Sequence, residues 1–455
     1  MSTRRGILVI LGPGLLIAAT GVGAGDLATA GFAGSHLGLA IAWAVVLGAF
    51  LKFVLNEGLT RWQLATGTTL LEGAITHFGW PLRIAFILYF LPWSFFTGAA
   101  LISACGVTAS SILPFDDPAL GKIAFGAIHS AIGVAVAWFG GFRAFERIMA
   151  ACIGIMFFSV IATAIMLRPD WGEVAAGLIV PRMPEWRGEG LTWTIALMGG
   201  VGGTVTILCY GYWIREEGRT DARALRTCRL DLASGYIMTG LFGIAMLIIA
   251  SGITVQGTGS ALIANLADQI GATAGAAGRW VFLIGAWAAV FSSLLGVWQA
   301  VPYLFADFWR MTGPGSGAAY APSHAGPEVP RRSGSESPAG PEVVRRRRSG
   351  SASGGGAGSD AIAMRPVSVR STSYRLFLIA LAVLPLLHIH RPFRDVQQVY
   401  AIVGAAFIPM LALLLLVMNG NRGWVGPLRN RWPTVVVLIA TLAFFIAAGV
   451  MGMGD

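Results

Sequence analysis

The sequence predicts an all-α polytopic membrane protein of about eleven transmembrane helices, two of them interrupted at their middles. Three observations carry that expectation. Of 455 residues, 55% are hydrophobic and only 12% charged, against about a quarter charged in soluble domains. Apolar stretches of membrane-crossing length recur along the whole chain. Two of these stretches hold glycine clusters where a helix should be most regular.

The first apolar stretch, 7–31, follows Arg4 and Arg5. It lacks a small-residue cleavage site and is too long for a signal-peptide core, so it reads as a span. The second, 38–57, ends at Glu57, four residues before Arg61, which is the spacing of an i,i+4 pair. Spans three to five cover 83–111, 119–140 and 146–167; PFDDPALG separates the first two, Arg143 and Arg147 the last two. A long stretch of mixed charge, 168–190, leads into span six, 190–214. Arg215, Glu216 and Glu217 close that span as a solvated cytoplasmic gate or loop. Arg219, Arg223, Arg226 and Arg229 lead into span seven, 229–253, and the nearly uncharged 254–276 into span eight, 277–307. Spans nine to eleven follow at 373–390, 397–418 and 433–453, with Arg422, Arg429 and Arg431 between the last two. Most of the remaining Trp and Phe residues are expected at the lipid face or the interface.

The basic residues fall on alternate connections. By the positive-inside rule this puts the N-terminus in the cytoplasm and the C-terminus outside, in a multi-pass protein of the cell membrane. Residues 312–372 carry eight Arg against four acids (Glu328, Glu336, Glu342, Asp360), a net +4. That segment is rich in Gly, Ser and Pro and cannot bury enough surface to fold, so it reads as a disordered cytoplasmic linker. It divides the chain into 1–311, with spans one to eight, and 373–455, with spans nine to eleven. The overall charge of +10 is thus topology signal and linker, with the lipid bilayer as partner and no nucleic acid. Cys105, Cys152, Cys209 and Cys228 show no metal-ligand spacing and read as free, buried thiols. His36 reads as a surface residue, and the i,i+2 spacing of His388 and His390 does not share a helix face.

The glycine clusters lie in spans one and six: T-G-V-G-A-G-D at 20–26 and M-G-G-V-G-G-T-V-T at 198–206. Glycine costs about 1 kcal/mol relative to alanine inside a helix, so such clusters mark breaks unless close packing requires them. Their pairing is the informative part. Spans one and six hold corresponding places in two five-span halves, and paired interruptions point to an inverted-repeat transporter. Asp26 sits beside the first break, and a charge in hydrocarbon costs at least a few kcal/mol. Three roles stand open for it: capping the second half-helix, binding a ligand, or pairing with a buried cation.

These residues resemble the Nramp family of proton-coupled divalent-metal transporters. The family's first span reads GPG, eight residues, then DPGN-x-AT. Here Gly12-Pro13-Gly14 is followed, after eight residues, by Gly23-Ala24-Gly25-Asp26, Leu27 and Ala28-Thr29. Trp43, Arg61, Thr66-Gly67, Asp231, Ser292-Ser293 with Gly296, and Pro409 are further echoes, and the resemblance covers nearly all eleven spans. It implies an inverted 5+5 repeat and a metal site between the two breaks.

The departures fall on the chemistry. The family's metal-binding Asp aligns with Gly23 and its Asn with Asp26. Its GATVMPHN in span six aligns with Gly202-Gly203-Thr204-Val205-Thr206-Ile207-Leu208-Cys209, so Thr206 stands in place of the metal-binding Met and Leu208 in place of the His. The family's acids in span three have no counterpart in 91–106. The substrate-binding candidates are therefore Thr20, Gly23, Asp26, Gly203, Thr204 and Thr206, with Asp26 as the metal ligand. This is an oxygen-only set. It suits a hard cation such as magnesium over manganese or iron, or another small solute. A non-transporting sensor is the competing class. An enzyme would need a nucleophile–base pair or a two-carboxylate site within the spans, but Asp26 is the one acid near a break and no His or Lys shares its helix; no cofactor is called for. No feature specifies an oligomeric state.

Overall fold

The computed structural model describes residues 12–185, 187–252, 262–312 and 369–452. The expected linker 312–372 lies outside these residues except at its two ends. Within them, helices cover every stretch expected to cross the membrane, and no strand is present. Among the described residues, nine helical runs are long and apolar enough to cross a bilayer, and Gly12–Gly21 and Thr372–His388 are shorter apolar helices.

The first span is built in pieces. α1 (Gly12–Gly21) stops at the glycine cluster, a π-helical turn occupies Ala24–Thr29, and α2 (Ala30–Leu37) completes the crossing. Next, α3 (Ala42–Thr66) continues well past the expected end at residue 57. Its last turns are polar yet buried, because other segments satisfy them. Arg61 donates to Glu57 at 2.7 Å, as its spacing predicts, and also to the Leu428 carbonyl and Asn430. Arg229 adds a second cation to Glu57 at 2.6 Å. Gly67, in the left-handed region at φ 75°, ends the helix.

Thereafter α4 (Leu70–Phe78) starts with a capping box between Thr69 and Glu72, which satisfies two backbone donors at its N-terminus. The long α5 (Trp80–Ile112), α6 (Pro118–Phe139) and α7 (Gly141–Met166) follow. Within the expected 168–190 loop, Asp170 caps a short helix, α8 (Trp171–Ile179). The sixth span is α9 (Gly188–Gly200), an irregular segment, a 3-10 turn at Val205–Cys209, and α10 (Tyr210–Glu216). Then come α11 (Leu225–Ala250) and α12 (Leu262–Thr312). At about 1.5 Å per residue α12 would be far longer than a bilayer is thick. Gly275, at φ 75°, breaks it into two helices. The last elements are α13 (Thr372–Val383), α14 (Phe393–Ala405), α15 (Phe407–Met418), α16 (Arg422–Val425) and α17 (Trp432–Gly452).

The two broken helices run through the interior. α1 packs on α11 and α12, and α9 packs on α14 and α3. Glycine makes these approaches possible: a Cβ on Gly14 would strike Asp231, and one on Gly235 would strike the Gly14 carbonyl. Small residues at such crossings are the usual device of membrane helices.

Five tryptophans depart from the expectation of a lipid-facing position: Trp62, Trp93, Trp193, Trp213 and Trp298 are fully buried. Three of them have found hydrogen-bond acceptors inside, Trp62 on Thr68, Trp93 on Thr204 and Trp213 on Gln299, which removes the main cost of burying an indole N–H. All four cysteines are free and buried, as expected. His36 lies at the surface beside Glu185. The Arg215–Glu217 segment is less solvated than expected. Arg215 pairs at 2.7 Å with Glu72, whose carboxylate is buried and also meets Arg310.

Candidate functional site

The first break follows directly from the glycines. α1 ends at Gly21, so the carbonyls of Ala19 and Thr20 lose their partners in the helix ladder. In hydrocarbon such groups must be satisfied by protein. Two hydroxyls from α12 do this: Ser293 donates to the Thr20 carbonyl at 2.7 Å and Ser292 to the Ala19 carbonyl at 3.3 Å. Beyond the gap the chain resumes as a π-helical turn, a form enriched at functional sites. Asp26 lies in the first turn of that segment, completely buried.

The second break spans 201–204. Gly202 and Gly203 both take left-handed backbone, φ 75° and 81°, which side chains with a Cβ rarely adopt. The two breaks meet backbone to backbone, since a Cβ on Gly21 would run into Gly202 and the Gly203 nitrogen. Across this contact the Gly202 N–H donates to Asp26 Oδ2 at 3.3 Å. That bond ties the first break to the second, from a carboxylate that stands in the first turn of its own helical segment. Its other oxygen, Oδ1, is buried without a hydrogen-bond partner, as is Thr20 Oγ1.

A residue that the sequence reading passes over completes the site. Lys52, on α3, is completely buried. Its ammonium donates to the Gly199 carbonyl at 2.6 Å and to the Gly203 carbonyl, groups freed where α9 ends. It thus bonds the same segment as Asp26, whose carboxylate takes the Gly202 N–H, without forming an ion pair with it. A lone lysine inside VVLGAFLKFVLN is itself the signal that could have found it, because an ionisable residue within a span is a functional-site candidate by default. A buried cation therefore shares the second break with Asp26, although the two form no direct ion pair.

The other candidates divide. Gly23 is closed off: a Cβ there would collide with the Ser293 side chain. Thr20 packs against Gly296, whose missing Cβ makes its room. Gly203 joins the site through its carbonyl, and the Thr206 hydroxyl fills the space that a Cβ on Gly203 would need. The Thr204 hydroxyl is occupied, accepting the Trp93 indole N–H at 2.8 Å, and its methyl side packs on Gly404. Thr204→Val keeps the shape and strands that indole N–H, so a loss of about 1–3 kcal/mol is expected. A chemical or thermal unfolding curve in detergent measures it, and an unchanged midpoint would refute the pairing. Among the described residues no group of three or more His, Cys, Asp or Glu side chains could hold a metal ion.

The comparisons with known proteins agree with this architecture. Residues 14–317 match the family model described as natural resistance-associated macrophage protein-like, Nramp. The divalent metal cation transporter MntH of Verminephrobacter eiseniae is 25% identical over 262 residues, 55% of this chain and 57% of that protein. MntH of Bacillus subtilis is likewise 25% identical, over 55% of this chain and 59% of that one. The chain thus spans less than two thirds of the length of these curated relatives. Among solved structures, a mutant form of the Eremococcus coleocola manganese transporter superposes with TM-score 0.69 at 14% identity, covering 99% of this chain and 87% of that one. MhsT in complex with L-phenylalanine superposes with TM-score 0.57 at 14% identity over 97% of both chains.

Proposed function

This chain belongs to the Nramp family, and on that footing we propose that it is a secondary transporter carrying a small divalent cation across the cell membrane by alternating access. One observation supports this reading above the rest: Asp26 is a fully buried carboxylate at the contact of two broken helices, with one oxygen unpartnered. Such a group is costly in a membrane interior and is retained for ion or substrate contact. Asp26 is the proposed metal ligand, with the Gly203 carbonyl and the hydroxyls of Thr20 and Thr206 as the surrounding oxygen donors; Gly23 and Thr204, both otherwise engaged, shape the site.

The donor set contains no thioether, thiol or imidazole. Oxygen-only sites favour hard ions, so magnesium is the preferred cargo over manganese or iron. Transport rather than catalysis is the proposed activity, and the N-terminus is assigned to the cytoplasm from the arginine distribution. One observation favours a second reading, a small organic solute on the same fold: a buried cation, Lys52, is already bonded to the break that Asp26 bonds.

Flux into proteoliposomes tests both. Magnesium influx is expected to exceed manganese influx, and Asp26→Asn to lower it by at least about tenfold, the factor given by roughly 1.4 kcal/mol of lost ligation. Absence of flux for every divalent ion tried, alongside flux of a small amine or amino acid, would replace the first reading by the second.

A further inference from the structure

The geometry points to Lys52 as a tethered resident cation: its ammonium occupies the carbonyl cradle of Gly199 and Gly203 beside Asp26, and a divalent cargo binds there only when that ammonium has withdrawn. The inference rests on the divalent-cation reading above, and its test separates the two.

Three features of the site carry it. First, both charges are anchored on one five-residue segment. The Asp26 carboxylate takes the Gly202 N–H, and the Lys52 ammonium takes the carbonyls on either side of it, at 199 and 203. Any cation ligated by Asp26 and the second break would use the same oxygens. Second, lysine carries a compact ammonium with three donors on a flexible four-carbon stem. That is the chemistry of a small cation held on a leash, able to enter and leave without dissociating. Third, the pair leaves the site with no net charge. A divalent ion added beside a fixed ammonium would meet strong repulsion in a medium of low dielectric constant.

Lys52 is then the residue that sets affinity. A protein whose competent state is only fractionally populated binds with an apparent affinity reduced by that fraction. With the ammonium in the cradle, only the fraction of molecules in which it is withdrawn is open to cargo.

The experiment uses the full-length protein in detergent at constant ionic strength, with thermal unfolding as readout. In Lys52→Met, half-maximal stabilisation by magnesium or manganese is expected at a concentration at least about tenfold lower than in the wild type, as a competent fraction of one tenth or less requires. The effect should vanish in Asp26→Asn/Lys52→Met. Lys52→Gln makes the same comparison should the methionine variant fail to fold. In parallel, Lys52→Ala is purified with propylammonium chloride and melted across a concentration series of that salt against sodium chloride. A free amine should refill the cradle and raise the midpoint of Lys52→Ala while leaving the wild type unmoved. Rescue by propylammonium with no divalent response in any variant would uphold the resident cation and remove divalent cargo. Equal divalent response in wild type and Lys52→Met, or no amine rescue, would overturn the resident cation.

Discussion

Replacing Asp231 by alanine is expected to destabilise the folded protein by about 3–5 kcal/mol, the cost of breaking a buried ion pair by removing one partner. Asp231 is fully buried on α11 and gathers three donors: the Gly14 N–H at 2.8 Å, the Tyr210 hydroxyl at 2.9 Å and the Arg219 guanidinium at 2.9 Å. These come from the first turn of α1, from α10 and from the connection after it. One carboxylate thus joins the first half of one broken helix to the second half of the other. Alanine removes the carboxylate that pairs with Arg219, whose side chain is only 9% exposed, and leaves the Gly14 N–H without its acceptor. Asp231→Asn should cost less, since an amide oxygen can still accept from Gly14 or Tyr210. Unfolding curves of both variants and of Arg219→Ala give the test. Additive effects of Asp231→Ala and Arg219→Ala would show that the pair is not coupled and sink the account.

The breaks were legible in the sequence because glycine is informative where a helix should be regular. The interruption between Gly21 and Ala24 falls within the cluster at 20–26, and that at 201–204 within 198–206. What satisfies the breaks was not legible in the same way. The Ala19 and Thr20 carbonyls are met by Ser292 and Ser293, more than 270 positions along the chain, and the Gly199 carbonyl by Lys52, 147 positions away. Local composition marks where backbone groups are freed; only the fold determines which side chain reaches them. Thr204 shows the converse. Its place in the glycine-rich segment made it a candidate donor, yet its hydroxyl serves the Trp93 indole, a partner on a different span. Asp26 was visible as an acid in an apolar stretch, whereas Lys52 was missed since attention to breaks and acids passes over a cation one span away. The extension of α3 to Thr66 was hidden for the same reason, because its polar end is buried by arginine and carbonyl partners from elsewhere.

These satisfactions divide the two breaks by chemistry. Neutral hydroxyls from α12 hold the carbonyls of the first break. Charges hold the second, with Asp26 on its N–H and Lys52 on its carbonyls. A charge-assisted hydrogen bond is roughly twice as strong as a neutral one, yet both charges depend on each other to stay buried. On the proposed reading, the second break is therefore where an incoming cation changes most, by replacing one of the two charges that hold it.

Restoring the family's acid at position 23 is expected to fail. Gly23→Asp places a Cβ on the Ser293 side chain, with the Ala289 carbonyl oxygen 3.3 Å away. Overpacking of this kind costs about 1–3 kcal/mol or more, and a second carboxylate in the buried site adds the cost of a charge for which Lys52 is already engaged. Loss of folded protein, rather than recovery of manganese binding, is the expected result. Gly23→Ala separates the two contributions, since it keeps the collision and omits the charge. It should still lower the unfolding midpoint. Adding Ser293→Gly to Gly23→Ala removes the colliding atoms, although it also removes the 2.7 Å bond to the Thr20 carbonyl, worth about 1 kcal/mol. The double variant should therefore recover part of what Gly23→Ala loses, while Ser293→Gly alone destabilises. A Gly23→Ala protein as stable as the wild type would show that α12 yields easily. In that case Gly23→Asp with Lys52→Met becomes the direct route to a two-carboxylate site, and tighter manganese binding by that pair would show that the remodelling of this site is reversible.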